Sequence, residues 1–238
     1  MKADATSDPA DWQGITRPFY FPALQFCRFV RTQCLRQVVL HRERAAIAGG
    51  CVLACTHVSH IEPMLVSCLI DRPVYWMARK EFFRYRPFAV ALRWVGAFSV
   101  NRFGVPVSAV RTGIRLAREG RIVGIFPEGG CVSGRELMFR GGVLKQGACA
   151  IAWRAQVPIL PVVVLGTDRL RAIDPWLPAL QGRVWVAFGN PIPPPPAASS
   201  RIEHRATRRQ LAAALQREVM STYRELLVHT GLTDAFTP

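Results

Sequence analysis

A histidine and an acid stand five positions apart in the run THVSHIEP, residues 56–63, directly after the apolar run CVLACT at 51–56. A neutral imidazole titrates near working pH, so it can take a proton from an attacking hydroxyl while a carboxylate orients its other ring nitrogen. Catalytic groups are often placed where a buried strand ends. His57 and Glu62 therefore form a candidate pair for general base catalysis.

The same stretch offers four residues of metal-binding type, Cys51, Cys55, His57 and His60. If residues 51–56 form a strand, the two cysteines lie roughly 13 Å apart, which is too far to share one ion. We therefore predict no metal site here. A histidine that only satisfies hydrogen bonds in the core is a further alternative, and the pair alone does not exclude it.

Ser59 and Glu62 also match a helix capping box, in which the acid would have only a structural role. A helix capped by Ser59 would need the backbone amide of residue 63, and proline lacks this amide. Pro63 instead suits the first position of a helix. Glu62 would then immediately precede the helix, where it could face His57.

Further blocks extend the pattern: GAFSVNR at 96–102, IFPEGG at 125–130, LKQG at 144–147, VPILPVVV at 157–164 and FGNPI at 188–192. With THVSHIE they resemble, in type and order, the motifs of the glycerol-phosphate and lysophosphatidate acyltransferase family. THVSHIE is similar to the family's NHxSxxD motif, with His57 and Ser59 matching and Glu62 in place of Asp. The resemblance covers roughly residues 51–192.

This resemblance implies a membrane-associated O-acyltransferase. It would move a fatty acyl group from acyl-CoA or acyl carrier protein to a hydroxyl of a lysophospholipid-like acceptor, with lysophosphatidate as the nearest precedent. His57 would be the base and Glu62 its orienting acid. The implied substrate-binding residues are Ser59, Arg102, Phe126, Pro127, Glu128, Gly129 and Gly130. No cofactor beyond the acyl donor is expected, because acyl transfer from a thioester needs a base, a positioned hydroxyl and donors for the oxyanion.

The chain departs from the family pattern at two places. Glu62 is one methylene longer than Asp, a displacement on the order of 1 Å that affects a catalytic hydrogen bond unless the backbone compensates. Gly130 and Cys131 replace the Thr and Arg of FPEGTRS, whose Arg is thought to grip the acceptor phosphate. The alternatives are therefore a catalytically impaired lipid-binding relative, an acceptor without phosphate, or a substitute cation such as Arg135 or Arg140.

Six apolar runs are typical of buried strands, at 51–56, 74–78, 98–100, 122–126, 159–165 and 184–188. Helical spacing predicts helices over 107–119, with Gly120 as the stop, and over 142–154. Strands that alternate with helices indicate an α/β fold. We predict a single domain with a mixed, largely parallel sheet flanked by helices, plus an N-terminal amphipathic helical segment.

Composition shifts suggest the remaining boundaries. The expected segments are a flexible lead at 1–16, an amphipathic membrane-surface helical segment at 17–44, an acyltransferase core at 45–192, a proline-rich spacer at 193–200 and a C-terminal helix at 201–238. Apolar residues wrap more than one face of the second segment. A helix that lies on the domain is therefore the alternative to membrane contact.

The chain has 31 Lys and Arg against 16 Asp and Glu, a formal charge of +15, which favours anionic partners. Nucleic acid is not expected, because the arginines are spread along the chain without a recognised motif. Mean hydropathy is +0.15 and no stretch of about 18 residues lacks charge. With an odd number of cysteines and no secretory signal, these features predict a peripheral or monotopic protein on the cytoplasmic face of a membrane. The oligomeric state stays open.

Overall fold

Seven strands share one sheet in the computed structural model, which describes residues 20–22, 24–29, 32–33, 35–94, 96–100, 107–168, 182–196 and 201–233. They are β1 (Leu35–Leu40), β2 (Cys51–Cys55), β3 (Val74–Arg79), β4 (Phe98–Val100), β5 (Ile122–Ile125), β6 (Ile159–Leu165) and β7 (Gly182–Phe188). The order across the sheet is β1-β7-β6-β2-β5-β3-β4. All neighbours are parallel except β6 and β7, so the predicted mixed, largely parallel α/β sheet is confirmed.

The strands β2, β5 and β6 are buried along their whole length, as their uninterrupted apolar runs predict for a central parallel strand. Alternate side chains enter separate apolar clusters on the two faces of the sheet, for example Val52 on one face and Leu53 on the other. Because β2 is parallel to both β5 and β6, the carboxyl ends of these three strands meet at one edge.

Besides the helical residues before β1, the described residues include the helices α1 (Glu62–Ser67), α2 (Arg86–Trp94), α3 (Val107–Arg118), α4 (Gly147–Ala155) and α5 (Arg201–Thr230). The predicted helix before Gly120 is confirmed, and this glycine has the left-handed backbone that commonly follows a helix, with φ +78°. Helix α5 begins where the sequence predicts the C-terminal helix but ends at Thr230, so that prediction is wrong for residues 231–233, and residues 234–238 lie outside the described residues.

The prediction of helix from residue 142 is wrong for residues 142–146, because α4 begins only at Gly147. Backbone hydrogen bonds tie this stretch to other loops instead. The Gly142 N–H donates to the Leu137 carbonyl at 3.0 Å, and the Lys145 N–H donates to the Pro127 carbonyl at 2.8 Å. Pairing with the loop that follows β5 therefore replaces the first helical turn.

The predicted helical segment 17–44 is wrong in its last part. Residues 20–22, 24–29 and 32–33 are helical, but Leu35–Leu40 forms β1 and Arg42–Ala45 forms a short 3-10 helix. In LRQVVL, Leu35 and Val39 lie on one face of the sheet, and Val38 and Leu40 lie on the other. This alternation is typical of a strand, and β1 pairs with β7. Along the described stretches, no helix is both long and apolar enough to cross a bilayer.

The proline-rich spacer follows a short antiparallel pairing between Ile192 and Ile159. Its first residues lie against α4, because Trp153 Nε1 donates to the Pro196 carbonyl and Gln156 Nε2 to the Pro195 carbonyl, each at 3.2 Å. Residues 197–200, like the flexible lead predicted at 1–16, lie outside the described residues.

Candidate active site

His57 and Glu62 are in direct contact at the shared edge of the central strands. Residue 57 follows β2, and α1 begins at Glu62 with Pro63 in its first turn. The ring Nδ1 donates to Glu62 Oε2 at 2.9 Å, and the carboxylate side chain is 0% exposed. The extra methylene of Glu is thus accommodated, and the contact between the two predicted residues is present.

The other oxygen of Glu62 has three donors. Oε1 accepts the Ser59 N–H at 2.7 Å, the Val58 N–H at 3.2 Å and the Thr167 hydroxyl at 2.5 Å. Because three donors already surround Oε1, the carboxyl group fits an acceptor-only carboxylate. His57 Nδ1 is then the protonated nitrogen, and Nε2 carries the lone pair, with Cys131 Sγ 3.4 Å away from it.

The bond from the Ser59 N–H to Glu62 matches one half of a capping box, although the residue that immediately precedes α1 is Ile61, whose side chain makes no cap hydrogen bond. Glu62 therefore anchors the start of α1 and orients His57 at the same time. Ser59 is buried beside this carboxylate. Its predicted substrate-binding role stays a prediction.

Thr167 is a site residue that the sequence reasoning missed. It follows β6 and Gly166, whose φ of +86° turns the chain at the strand end. Its side chain is fully buried against Glu62. The available signal was a small polar residue two positions after the apolar run 159–165, at the sheet edge where β2 also ends.

The backbone and ring of His57 are both held in place. Its N–H donates to Glu128 Oε2 at 2.6 Å, and its carbonyl accepts the Val132 N–H at 2.9 Å. Its ring stacks on Phe126 with centroids 3.8 Å apart, and Phe126 in turn stacks on Trp76 at 4.9 Å. The imidazole is therefore held in place by contacts of the protein itself.

Glu128 connects three loops through backbone amides. Besides the His57 N–H, it accepts the Met138 N–H through Oε1 at 2.8 Å. Burial raises the pKa of this carboxyl to about 7, the two amide donors oppose the rise, and the nearby Glu62 adds to it. Both carboxyl oxygens of Glu128 are thus bound to backbone amides, which fits a role in positioning the loops around His57. The acceptor-binding role implied by resemblance stays a prediction.

Phe126, which stacks on His57, lines a cavity of about 720 Å³ together with Pro127 and Gly129. Gly129 has φ +83°, and the Lys145 side chain fills the space that a Cβ at this position would need. The lining combines apolar side chains with cations. The apolar members include Met77, Val100, Val107, Val110, Ile114 and Ile125, and the cations are Arg111, Lys145, Arg154 and Arg208.

Of the remaining predicted residues, Gly130 is half-buried in the turn after Glu128, and Arg102 lies outside the described residues. Arg135 and Arg140, the suggested substitutes for the missing arginine, are exposed on the loop that follows. Lys145, which the sequence reasoning did not single out, instead lies against Gly129. The structure therefore offers a different cation close to the turn.

The model of a protein family described as Acyltransferase matches residues 36–165. Relatives called 1-acyl-sn-glycerol-3-phosphate acyltransferase include one from Bacillus subtilis (strain 168), 28% identical over 65% of this chain and 72% of that protein. Another, from Streptococcus pneumoniae, is 34% identical over 59% of this chain and 49% of that protein. The human protein called the beta form of this enzyme is 34% identical over 54% of this chain and 46% of its own length.

A solved structure shows the same fold. It is the 1-acyl-sn-glycerophosphate (LPA) acyltransferase PlsC from Thermotoga maritima, with a TM-score of 0.61 at 20% identity. The match covers 84% of this chain and 79% of that one. The chain thus spans most of this structure and of the Bacillus protein, and about half the length of the pneumococcal and human relatives.

Proposed function

This chain belongs to the acyltransferase family, whose model matches more than half of its residues, and we propose that it acylates the free hydroxyl of a lysophosphatidate-like lipid. The acyl donor would be acyl-CoA or acyl carrier protein. One observation carries the proposal: an imidazole whose Nδ1 is bound to a buried carboxylate stacks on Phe126, and Phe126 lines a cavity with apolar and cationic walls.

The proposed reaction uses His57 as general base. Nε2 takes the proton of the acceptor hydroxyl while that oxygen attacks the thioester carbonyl. Glu62 stabilises the imidazolium that forms. The carbon–sulfur bond then breaks, the new ester remains, and the imidazolium returns its proton to the departing thiolate. Proton and charge are thus restored without a covalent intermediate on the protein.

The cavity fits the two ends of such substrates. Its apolar wall suits a fatty acyl chain, and its four cations suit phosphate groups of the acceptor or donor. We assign Lys145 to the acceptor phosphate, because it lies on Gly129 in the turn where the family arginine is replaced by Cys131. A phosphate-bearing acceptor is therefore favoured over one without phosphate.

The direct test is product mass spectrometry over a panel of lysolipids, each supplied with acyl-CoA or with acyl carrier protein. We expect an added acyl chain on lysophosphatidate and less product from a monoacylglycerol, which lacks the phosphate. If no lysolipid is acylated with either donor, the proposed enzymatic activity is refuted. Preferential turnover of the uncharged acceptor would refute the assignment of Lys145.

A catalytically impaired lipid-binding relative is the second candidate. It is motivated by Cys131, whose Sγ lies 3.4 Å from His57 Nε2 and stands at the position of the family arginine. It predicts lysolipid binding without product in the same panel. Any wild-type turnover above that of a His57 variant decides against it.

We also propose attachment to the cytoplasmic face of a membrane through the N-terminal helical residues. Tyr20 and Leu24 pack on the domain next to Cys68, and the Tyr20 hydroxyl accepts the Val74 N–H at 3.1 Å. Phe26 and Phe29, by contrast, are 62% and 63% exposed. One face thus holds the segment to the domain, and the other presents aromatic side chains that suit a bilayer interface.

Replacing Phe26 and Phe29 together by serine should weaken binding to anionic liposomes at least about tenfold, because two aromatic side chains would no longer enter the interface. Flotation with vesicles that contain phosphatidylglycerol measures this. Val228→Ser, an 85% exposed apolar residue on α5, is the matched control and should bind like wild type. Equal binding by the double variant and wild type would exclude this attachment. Point variants are used rather than a deletion of the N-terminal segment, because a deletion that extended to β1 would remove a strand from the sheet.

A further inference from the structure

Among the described residues, one cluster of metal-binding side chains surrounds the proposed base. His57, His60 and Cys131 each offer one ligand atom, and the three atoms lie within 4.8 Å of one another. Cys131 Sγ is 3.4 Å from His57 Nε2 and 3.7 Å from His60 Nδ1. The cluster includes neither Cys51 nor Cys55, and it joins two neighbouring histidines to Cys131, which is distant from them in the sequence.

We propose that His57, His60 and Cys131 form an inhibitory binding site for a thiophilic divalent metal ion such as Zn²⁺. This inference rests on the proposed function, because inhibition requires that His57 act as the base. A metal bound to Nε2 would occupy the lone pair that otherwise accepts the proton of the acceptor hydroxyl. The metal-bound protein is therefore inactive until the ion is removed.

Two of the three distances between ligand atoms match a tetrahedral ion. Zinc bonds of about 2.0–2.1 Å to nitrogen and 2.3 Å to sulfur place neighbouring nitrogen and sulfur ligands about 3.6 Å apart. The two sulfur–nitrogen distances lie on either side of this value. The third distance joins the nitrogens of His57 and His60. Because His60 is exposed, its ring can turn to shorten this distance. Three protein ligands leave a fourth position for water.

The surroundings of His57 also suit a metal ligand. Histidines that bind zinc usually donate their other ring N–H to a carboxylate, and His57 Nδ1 donates to Glu62 at 2.9 Å. Cys131 is held beside it, because the Val132 N–H donates to the His57 carbonyl at 2.9 Å. Two nitrogens and a sulfur favour Zn²⁺ over Mg²⁺, which prefers oxygen ligands. Binding converts the Cys131 thiol to a thiolate and releases its proton to solvent.

Cobalt absorption tests the site without reference to activity. We expect Co²⁺ to give the wild-type protein a thiolate-to-cobalt charge-transfer band with tetrahedral visible bands, and Zn²⁺ to displace it. Cys131→Ser should abolish the charge-transfer band, and His60→Ala should weaken Co²⁺ binding. Cys27→Ser and His229→Ala are matched controls, half-buried and exposed respectively, and should keep the wild-type spectrum. A wild-type spectrum in Cys131→Ser would overturn the proposal.

Inhibition is measured as rate against Zn²⁺ concentration, relative to the rate of each variant in EDTA. Wild type should lose activity and recover it with EDTA, while Mg²⁺ at the same concentrations should not inhibit. Cys131→Ser should raise the half-inhibitory Zn²⁺ concentration at least about tenfold. Unaltered inhibition in this variant would refute the site. Absence of acyl transfer with a normal cobalt spectrum would instead refute the proposed function and leave the metal site standing.

Discussion

Replacement of His57 by alanine is expected to lower kcat for acyl transfer by about 10²- to 10⁴-fold, the usual contribution of a positioned general base. The imidazole is the group whose lone pair would take the acceptor proton, since its Nδ1 already donates to Glu62. KM for the lysolipid should change much less, because the cavity walls remain. Initial rates over a range of acceptor concentrations separate the two parameters.

Alanine at position 57 also removes a donor from a buried carboxylate, which costs roughly 1–3 kcal/mol of stability. His57→Gln is therefore the second variant, since its amide can still donate to Glu62 but cannot act as a base. His41→Ala is the matched control, because His41 also pairs with a glutamate, Glu225, at 2.7 Å on the surface. Near-normal kcat in a folded His57→Gln protein would show that this imidazole is not the base.

The pair at residues 57 and 62 could be predicted from the sequence because all of its geometry is local. A buried strand ends at Cys55, residues 56–61 form the turn, and Pro63 lies in the first turn of the helix that follows. Thr167 could not be placed in the same way. Its hydroxyl reaches Glu62 across 105 residues, and this contact exists only because β6 lies parallel to β2 in the sheet.

The error at β1 has the same origin. LRQVVL is too short to reveal its period unambiguously among the aromatic and arginine residues that precede it. Its strand partner, β7, is distant in the sequence, so the pairing that decides its structure is not visible locally. The Cys131 cluster likewise depends on the turn after β5 folding back beside His57. The sequence could not provide the pairing of β1 with a distant strand or the contacts between strand ends, because both depend on the order of the strands in the sheet.

Glu62→Gln is expected to lower kcat by about 10²- to 10⁴-fold while leaving the fold intact. Three donors surround Oε1, so the amide oxygen should take that position and the amide nitrogen should face His57. That nitrogen donates, and Nδ1 must then accept. The proton moves to Nε2, and the imidazole can no longer receive a proton from the acceptor hydroxyl.

This tautomer change gives a readout that a purely structural role would not produce. Nitrogen chemical shifts of the His57 ring should report protonated Nδ1 in wild type and protonated Nε2 in Glu62→Gln, while thermal unfolding shifts little. Glu225→Gln, which alters the surface histidine–glutamate pair, should keep wild-type kcat. Thr167→Val should have a smaller effect than Glu62→Gln, because it removes one donor but leaves the carboxylate against Nδ1. If Glu62→Gln reverses the His57 tautomer but keeps the wild-type kcat, Glu62 has no role in catalysis and only anchors the start of α1.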